Sequence, residues 1–316
     1  MSDIPAWHLP YRQQLAALVA SARVPHAVLF SGATGLGKRA LAEYWLALLL
    51  CTAPVDAAPC GSCQGCRLLR AHTHPDLYRV ALAPNREGKL RSEIVIEQVR
   101  EVCERLMLAS ALGGRRVALI DPADALNAAA ANALLKTLEE PPADTVLLLL
   151  ADHPERMPAT LRSRCRRLHL QSPSSAQALD WLAQQGLSGS AAQAALEAAR
   201  GNPGQALTSV REGLLQRREA VRSELAQALT GRADLLALAQ SWARDEPAER
   251  LRQAAQWLAQ ELAAQCEGRR GPLASGRDAR ALAQWYEQAN RLRALLRGPV
   301  RAEPLLLDFL ALRAAA

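Results

Sequence analysis

The first 170 residues alternate between short apolar runs and segments of helical character. Turn residues bound each apolar run, which predicts buried strands at 27–32, 115–121 and 144–151. The segments between them predict helices at 38–50, 94–108 and 125–140. Strands that alternate with helices in this order form a parallel sheet covered by helices. The pattern therefore predicts an α/β domain over residues 1–170.

Beyond residues 168–175 the pattern predicts helices broken by Gly and Pro, with no convincing strand. The sequence GNPGQAL (201–207) ends a first small helical unit. Later interruptions fall near 245–249, 267–278 and 297–304. We therefore expect a small helical lid domain over 171–208 and a helical domain over 209–316. The predicted fold class is α/β followed by all-α.

Apolar residues in the last domain recur at the spacing of packed helices, as at Leu251, Ala255, Leu258 and Leu262. The segment 305–312 (LLLDFLAL) is more apolar than a solvent-facing terminal helix should be. Such a surface usually meets a partner or the core of its own bundle.

Composition limits the class of protein. The chain has 316 residues, of which 50% are hydrophobic and only 4% aromatic, so the core must consist mainly of Leu, Ala and Val. Apolar runs are much shorter than a membrane helix needs, and residues 1–10 lack the features of a signal peptide. We therefore expect a cytoplasmic protein. The net charge of +7 is compatible with work near nucleic acid but equally with solvated helix faces.

The segment 31–40 (SGATGLGKRA) follows a predicted strand, begins a predicted helix and matches a phosphate-binding loop, or P-loop. Gly32, Gly35, Gly37 and Lys38 are the candidate nucleotide-binding residues. Backbone N–H groups and the helix dipole favour an anion at such a turn. The next residue, however, is Arg39, where a P-loop needs a Ser or Thr hydroxyl for Mg²⁺.

A second departure lies in the strand VALIDPAD (117–124), which is similar to a Walker B strand. Asp121 is placed to reach a magnesium ion, but the next residue is Pro122, where an ATPase of this type has a Glu that polarises the attacking water. Because two independent parts are missing, we expect no hydrolysis of ATP. The retained Lys38 leaves weak binding of nucleotide or phosphate open.

Four cysteines lie close together in the sequence, with the spacing C-x8-C-x2-C-x2-C: Cys51, Cys60, Cys63 and Cys66. Gly and small polar residues between them allow tight turns that bring four thiolates to one tetrahedral Zn²⁺. A set of four cysteines predicts a closed, structural zinc site. An iron–sulfur cluster or a redox pair is the alternative. His72 and His74 nearby are typical of a helix end or turn.

These motifs occur together with THPD (73–76), NALLKTLEEPP (132–142) and LRSRC (161–165). In this order they closely resemble the bacterial clamp-loader subunits of DNA polymerase III. The resemblance covers at least residues 1–170, and the helical remainder agrees with it in length and order. It implies an AAA+ type P-loop domain with a zinc-binding insert, a lid domain and a C-terminal helical collar for oligomerisation.

The resemblance also separates two kinds of subunit. Motor subunits have a complete P-loop, an Asp-Glu pair on Walker B and a sensing Arg in the second domain. Here Gly204 stands where that Arg would be, and Asp152 stands near the position of a sensing Thr. The chain therefore resembles the non-hydrolysing kind, which implies that Arg164 of Ser163-Arg164-Cys165 acts as an arginine finger on the ATP of a neighbour.

The partners that the resemblance implies are the motor (gamma/tau) subunits and the delta subunit of a heteropentamer. Through that complex the chain would meet the sliding clamp and primed DNA. Two other hypotheses are an active AAA+ motor subunit and a zinc-dependent nucleic-acid-binding protein. Arg39, Pro122 and Gly204 disfavour the first, and the weakly basic cysteine insert, with only Arg67 and Arg70 close by, disfavours the second.

Overall fold

The computed structural model describes residues 5–311 except Arg86, Arg297 and Pro299, and it does not describe the side chains of Leu214 and Leu215. Its chain divides into two compact units, Met1–Thr208 and Ser209–Ala316. In the described part of the chain, no helix is both long enough and apolar enough to cross a bilayer.

The first unit contains a five-stranded sheet in the order β2-β3-β4-β1-β5, in which every neighbouring pair is parallel. The strands are β1 (Ala27–Ser31), β2 (Leu77–Val80), β3 (Arg116–Ile120), β4 (Thr145–Ala151) and β5 (Arg166–His169). The three predicted strands are confirmed as β1, β3 and β4. The edge strands β2 and β5 were not among the predicted strands.

Nine helices of the described chain begin in the first unit. They are α1 (Leu9–Ala20), α2 (Lys38–Leu49), α3 (Gln64–Arg70), α4 (Ile96–Leu106), α5 (Ala128–Glu139), α6 (Ala159–Ser163), α7 (Ser175–Gln184), α8 (Gly189–Ala198) and α9 (Pro203–Arg211). The three helices predicted between the strands are confirmed as α2, α4 and α5. The boundary predicted between a sheet domain and a lid domain near residue 170 stays a prediction.

Strands β1, β3 and β4 are apolar throughout because both faces of the sheet are covered. Successive side chains of a strand point to opposite faces. Leu29 and Leu147 therefore join a core with α4, α5 and α6. Val28 and Phe30 join a second core with α1 and α2 on the other face. This double burial explains why these strands are readable as unbroken apolar runs.

The second unit is helical in its described residues. Its helices are α10 (Leu214–Leu229), α11 (Leu235–Arg244), α12 (Pro247–Cys266), α13 (Ala279–Leu295) and α14 (Ala302–Ala311). Leu251, Ala255 and Leu258 are buried and Leu262 packs beside them, which confirms the packing face predicted in α12.

The apolar side chains of the terminal segment pack inside this unit. Leu306, Phe309 and Leu310 of α14 are buried, and Phe309 lies near Trp242 of α11, with 6.3 Å between ring centroids. Of the two outcomes expected for residues 305–312, the structure gives the bundle core, while Leu312 itself lies outside the described residues.

A parallel sheet has a carboxyl edge, where the strands end, and an amino edge, where they begin. The P-loop follows β1 and so lies at the carboxyl edge. Residues that precede strands lie at the amino edge, such as Arg164 before β5 and Glu139 before β4. A strand of five residues such as β1 separates the two edges by roughly 16 Å.

At the amino edge, the THPD segment that precedes β2 joins it to the loop before β3. Asp76 is only 2% exposed. Its carboxylate accepts hydrogen bonds from the Ser110 hydroxyl (3.0 Å) and from the backbone N–H groups of Ala111 (2.8 Å) and Leu112 (3.1 Å). One buried carboxylate thus satisfies three donors of a loop that has no regular structure.

We expect Asp76→Ala to open this loop, because it removes the carboxylate that accepts from two backbone N–H groups and the Ser110 hydroxyl. The free energy of local opening should fall by about 3 kcal/mol, since hydrogen bonds to a charged group contribute about 1.5–3 kcal/mol each and do not add fully. Amide hydrogen exchange at Ala111 and Leu112 measures the effect. The control is Asp180→Ala, which removes an exposed carboxylate on α7. Unchanged protection at both amides would contradict the role given to Asp76.

Candidate functional site

The P-loop forms the turn between β1 and α2, as the sequence predicts. Gly37 precedes the first residue of α2 in a left-handed conformation (φ 84°). Gly32 adopts φ 139°, and a Cβ atom there would lie 2.6 Å from the carbonyl oxygen of Leu170. Only glycine fits at such a position, because a side chain would collide with the neighbouring backbone. The structure therefore brings all four candidate residues into one loop.

The Lys38 ammonium group is fully occupied by the protein itself. Its Nζ donates to the carbonyl oxygens of Gly32 (2.7 Å) and Ala33 (3.0 Å) and forms an ion pair with Asp152 Oδ1 at 2.5 Å. An ammonium group has three N–H donors, and each of the three has a partner here. Since Lys38 is only 6% exposed, a phosphate would have to displace one of them.

Asp152 follows β4 and takes the place that an anionic ligand would have beside Lys38. Its second oxygen, Oδ2, accepts the Thr34 hydroxyl at 2.6 Å. Burial alone would raise the pKa of Asp152, but the hydrogen bonds from Lys38 and Thr34 lower it below the ordinary value. The carboxylate therefore stays ionised and neutralises Lys38 from within.

Arg39 forms a second internal ion pair, with Asp121 of the Walker B position. Its Nε and Nη2 atoms contact the two carboxylate oxygens of Asp121, so that the pair is bidentate. The hydrogen bond to Asp121 also raises the pKa of Arg39. A guanidinium thus occupies the carboxylate that would reach Mg²⁺ in an ATPase. Together the two pairs leave the site without net charge from these four residues.

Helix α9 of the predicted lid packs directly on the P-loop. A Cβ atom on Gly204 would lie 2.2 Å from the carbonyl oxygen of Gly35, so no side chain fits there, least of all the sensing Arg of a motor subunit. Asn202 Nδ2 and Gln205 Nε2 donate to the Thr34 carbonyl at 2.8 and 3.3 Å. The loop is therefore held to α9 by contacts that need no nucleotide.

The N-terminal turn fastens the loop from another side. The His8 ring contacts the Leu36 carbonyl oxygen through Nε2 at 2.8 Å, and Trp7 Nε1 donates to the same oxygen at 3.4 Å. Trp7 also packs edge-on against Trp181 of α7, with 5.6 Å between ring centroids. Burial lowers the pKa of His8, which keeps its ring neutral.

A cavity of about 260 Å³ remains beside the loop, lined by Lys38, Arg39, Asp121, Pro122 and Asp152 among others. Pockets that enclose a ligand the size of a nucleotide measure about 300–1,000 Å³. The space here lies just below the lower end of this range, and the charged side chains around it already have partners in the chain.

The second candidate site is the cysteine cluster at the amino edge. The four sulfur atoms lie within 4.8 Å of one another, and none of these four cysteines forms a disulfide. Three separations are 3.6 Å (Cys51–Cys60), 3.9 Å (Cys51–Cys63) and 4.0 Å (Cys60–Cys66). Tetrahedral coordination with Zn–S bonds of about 2.3 Å places sulfur atoms about 3.8 Å apart. The cluster therefore fits a metal ion of this kind.

Backbone N–H groups in the cluster point at the sulfur atoms. The Cys60, Cys63 and Cys66 amides donate to the sulfur atoms of Cys51, Cys60 and Cys63 at 3.3–3.4 Å. Burial raises the pKa of Cys63, but hydrogen bonds from Cys66 N–H and Thr52 outweigh it and lower the pKa to about 5. Burial raises the pKa of Cys66 to about 12, so without a cation the cluster does not hold four thiolates at neutral pH.

His74 lies beside the cluster and is absent from the group of candidate ligands. Its Nδ1 accepts the Asp76 N–H at 3.2 Å, which places the proton of the neutral ring on Nε2. The ring also lies next to Gly65, where a Cβ atom would be 3.5 Å from Nε2. This placement agrees with the expectation that His74 is a turn residue.

The third candidate, Arg164, caps the C-terminus of α6 at the amino edge. Its Nη1 donates to the Thr160 carbonyl at 2.8 Å, and its Nη2 forms an ion pair with Glu139 at 2.7 Å. The side chain remains 36% exposed. Cys165 beside it is buried, and burial raises its thiol pKa to about 11, so it packs as a neutral anchor. Arg164 and the P-loop of the same chain thus lie at opposite edges of the sheet.

Several residues of the site were missing from the sequence analysis. These are Trp7, His8, Thr34, Glu139, Asn202 and Gln205. Each contacts a residue at least 25 positions away, and no local pattern carries such a contact. Four of them lie within motifs that the sequence singled out, Thr34 in the P-loop segment, Glu139 in NALLKTLEEPP, and Asn202 and Gln205 in GNPGQAL, but the motifs did not reveal the contacts.

Comparison with known proteins identifies the family. Residues 8–174, more than half of the chain, match the family described as DNA polymerase III, delta subunit. The DNA polymerase III subunit delta′ of Pseudomonas aeruginosa is 40% identical over 245 residues, which are 77% of this chain and 72% of that subunit. The subunit delta′ of Escherichia coli is 42% identical over 70% of this chain and 65% of its own length.

The alternative of a motor subunit has weaker support. The DNA polymerase III subunit tau of Salmonella typhimurium is 37% identical over 150 residues, which are 48% of this chain and 22% of tau. That match covers a smaller part of both proteins than the delta′ matches do. The resemblance to DNA polymerase III clamp-loader subunits is thus confirmed, and the chain belongs to the delta′ family of bacterial DNA polymerase III subunits.

Proposed function

We propose that this chain is the non-hydrolysing stator of a clamp loader and stimulates a neighbouring ATPase without using ATP itself. The observation that carries the proposal is the saturation of Lys38, whose three donors bind Gly32, Ala33 and Asp152. The bidentate Arg39–Asp121 pair supports it, because it fills the place of the metal. In such a chain the P-loop acts as a joint between the sheet and α9.

The proposed partners are motor subunits of the gamma/tau type and a delta subunit in a heteropentamer, which loads a sliding clamp onto primed DNA. We assign the role of oligomerising collar to residues 209–316. Helices α10 to α14 form a compact unit with its own core, as a rigid collar requires. We place the assembly in the cytoplasm, where a bacterial chromosome is replicated.

The position of Arg164 in the sheet supports a role at the ATP site of a neighbouring subunit. Arg164 lies at the edge opposite the P-loop of its own chain and is partly exposed. A guanidinium stays charged and bridges two phosphate oxygens, which suits it to stabilise the charge that develops on a neighbour's ATP. Arginine fingers accelerate phosphoryl transfer by about 10³–10⁵.

The cysteine cluster is proposed to hold one structural Zn²⁺ through the sulfur atoms of Cys51, Cys60, Cys63 and Cys66. Supporting this are sulfur separations close to those of a tetrahedral site and the N–H groups that stabilise thiolates. Four cysteine ligands leave no open position, so the ion would fix the insert between α2 and α3.

The purified chain should not hydrolyse ATP above background. Arg39 stands where a hydroxyl would bind Mg²⁺, and Pro122 stands where a carboxylate would activate the attacking water. Lys38→Ala should leave this background unchanged. The measurement is phosphate release at saturating ATP and Mg²⁺. Turnover at the rate of a motor subunit, lost in Lys38→Ala, would refute the proposal of a non-hydrolysing subunit.

Elemental analysis of the full chain should find one zinc per molecule. Cys63→Ser combined with Cys66→Ser should lose it, because two of four ligands no longer form thiolates. Cys266→Ser is the matched control and should retain zinc, since Cys266 is exposed at the end of α12. Zinc at the wild-type level in the double variant would contradict the assignment of the ligands.

Arg164→Ala should leave folding and zinc content unchanged, because a partly exposed ion pair contributes only about 0–1 kcal/mol to stability. In a reconstituted complex it should cause partial loss of DNA-stimulated ATPase, since one motor site of several loses its finger. Arg164→Lys should behave nearly alike, because Lys offers only a point charge.

The control for this experiment is Arg167→Ala, which removes an exposed cation of β5 and should act mainly through DNA or surface contacts. Steady-state ATPase and clamp-loading rates are the measurements. Wild-type rates in an intact complex with Arg164→Ala would mean that the triplet is only a solvated turn.

A further inference from the structure

Two motifs that the sequence presents separately meet in the structure. Glu139 is the last residue of α5, within LLKTLEEPP, and Arg164 follows α6, within the Ser-Arg-Cys triplet. Arg164 Nη2 lies 2.7 Å from Glu139 Oε1, while Nη1 of the same guanidinium donates to the Thr160 carbonyl at 2.8 Å. The side chain is thus held at two points.

These two contacts leave most of the guanidinium available. The group has five N–H donors in a planar fork, and two of them are used here. Three donors therefore remain for an incoming anion, and the Arg164 side chain is 36% exposed. A long side chain loses much rotamer freedom when it binds, and a side chain that is already oriented loses less of it on binding.

The position of Glu139 is unfavourable for helix stability. A carboxylate at the C-terminus of a helix faces the negative end of the dipole, and here Glu140 adds a second carboxylate beside it. The pair with Arg164 is half-exposed on the carboxylate side, so it contributes little to folding. Its effect is therefore on the orientation of Arg164 rather than on the fold.

Arg164 differs from the arginines near it in the sequence in its ion pairing. Among Arg162, Arg164, Arg166 and Arg167, only Arg164 forms an ion pair within the described residues. Arg166 and Arg167 lie exposed on the edge strand β5. The fold thus singles out one arginine of this basic segment and orients it.

We propose that Glu139 is a positioning residue, which holds Arg164 in the orientation that reaches the phosphates of a neighbouring subunit's nucleoside triphosphate. The inference rests on the proposed function of Arg164 and deepens it. Glu139 does not touch the nucleotide itself. It acts through the guanidinium by limiting its rotamers before the neighbour arrives.

The test uses complexes reconstituted with the full chain, motor subunits and delta subunit. The finger-dependent ATPase activity is the part of the wild-type activity that is lost in Arg164→Ala. Glu139→Gln should lower the kcat of this finger-dependent activity about two- to fivefold, which is the factor that corresponds to the loss of a partly exposed ion pair. The KM for ATP should stay unchanged, because the finger acts in the transition state. Removing a charge from the C-terminus of α5 should not weaken the fold, so unfolding does not explain the loss.

Two further variants separate positioning from a structural role. Glu140→Gln removes the adjacent carboxylate, for which the described chain gives no ion pair, and should leave kcat at the wild-type value. Glu139→Gln combined with Arg164→Ala should equal Arg164→Ala alone, since no finger remains to be positioned.

Other outcomes overturn the inference in distinct ways. If Glu139→Gln leaves kcat unchanged or raises it while Arg164→Ala is defective, Glu139 does not position the finger, but the proposed function stands. An additional loss in the double variant would assign Glu139 a structural role. Full activity of Arg164→Ala would instead remove the proposed function and this inference with it.

Discussion

Every functional feature of the first unit depends on the parallel direction of its five strands. Because all strands begin at one edge and end at the other, turns that follow strands and turns that precede them never share an edge. The P-loop after β1 therefore lies away from Arg164, which precedes β5. The proposed finger and the P-loop of one chain therefore cannot serve the same site.

In the loop at the carboxyl edge, the protein itself supplies partners to both cations, Lys38 and Arg39. A buried ammonium group must have partners, because an isolated charge in a protein interior is very costly. Asp152 and two loop carbonyls supply them to Lys38. Arg39 is exposed and pairs with Asp121 at the surface of the same site. In a complete P-loop the Lys is left free for the phosphates, and a hydroxyl takes the position of Arg39. Here the contact between Gly204 and Gly35 fixes the lid helix without a nucleotide.

The amino edge carries the groups that do not depend on a nucleotide. The cysteine cluster, the Asp76 loop contacts and the Arg164–Glu139 pair all lie in turns that precede strands. The Asp76 contacts and the Arg164–Glu139 pair are completed by side chains and backbone groups of the chain itself. The cysteine cluster is the exception, because a metal ion is proposed to complete it.

The sequence by itself determined the parts whose signals are local. Unbroken apolar runs revealed β1, β3 and β4 because both faces of these strands are buried. The cysteine spacing predicted the cluster because four residues within sixteen positions reach one point through tight turns. Arg39 and Pro122 predict that hydrolysis is lost, because each stands at a position where a specific group is required.

Only the tertiary structure decided the rest. The edge strands β2 and β5 escaped prediction because one face of each is exposed and carries an arginine, Arg79 in β2 and Arg167 in β5, so that no apolar run forms. The contacts of Lys38 with Asp152, Gly35 with Gly204 and Arg164 with Glu139 join residues that lie far apart in the chain. A one-dimensional pattern contains no distances between such residues, and it is the folding of the sheet that brings them together.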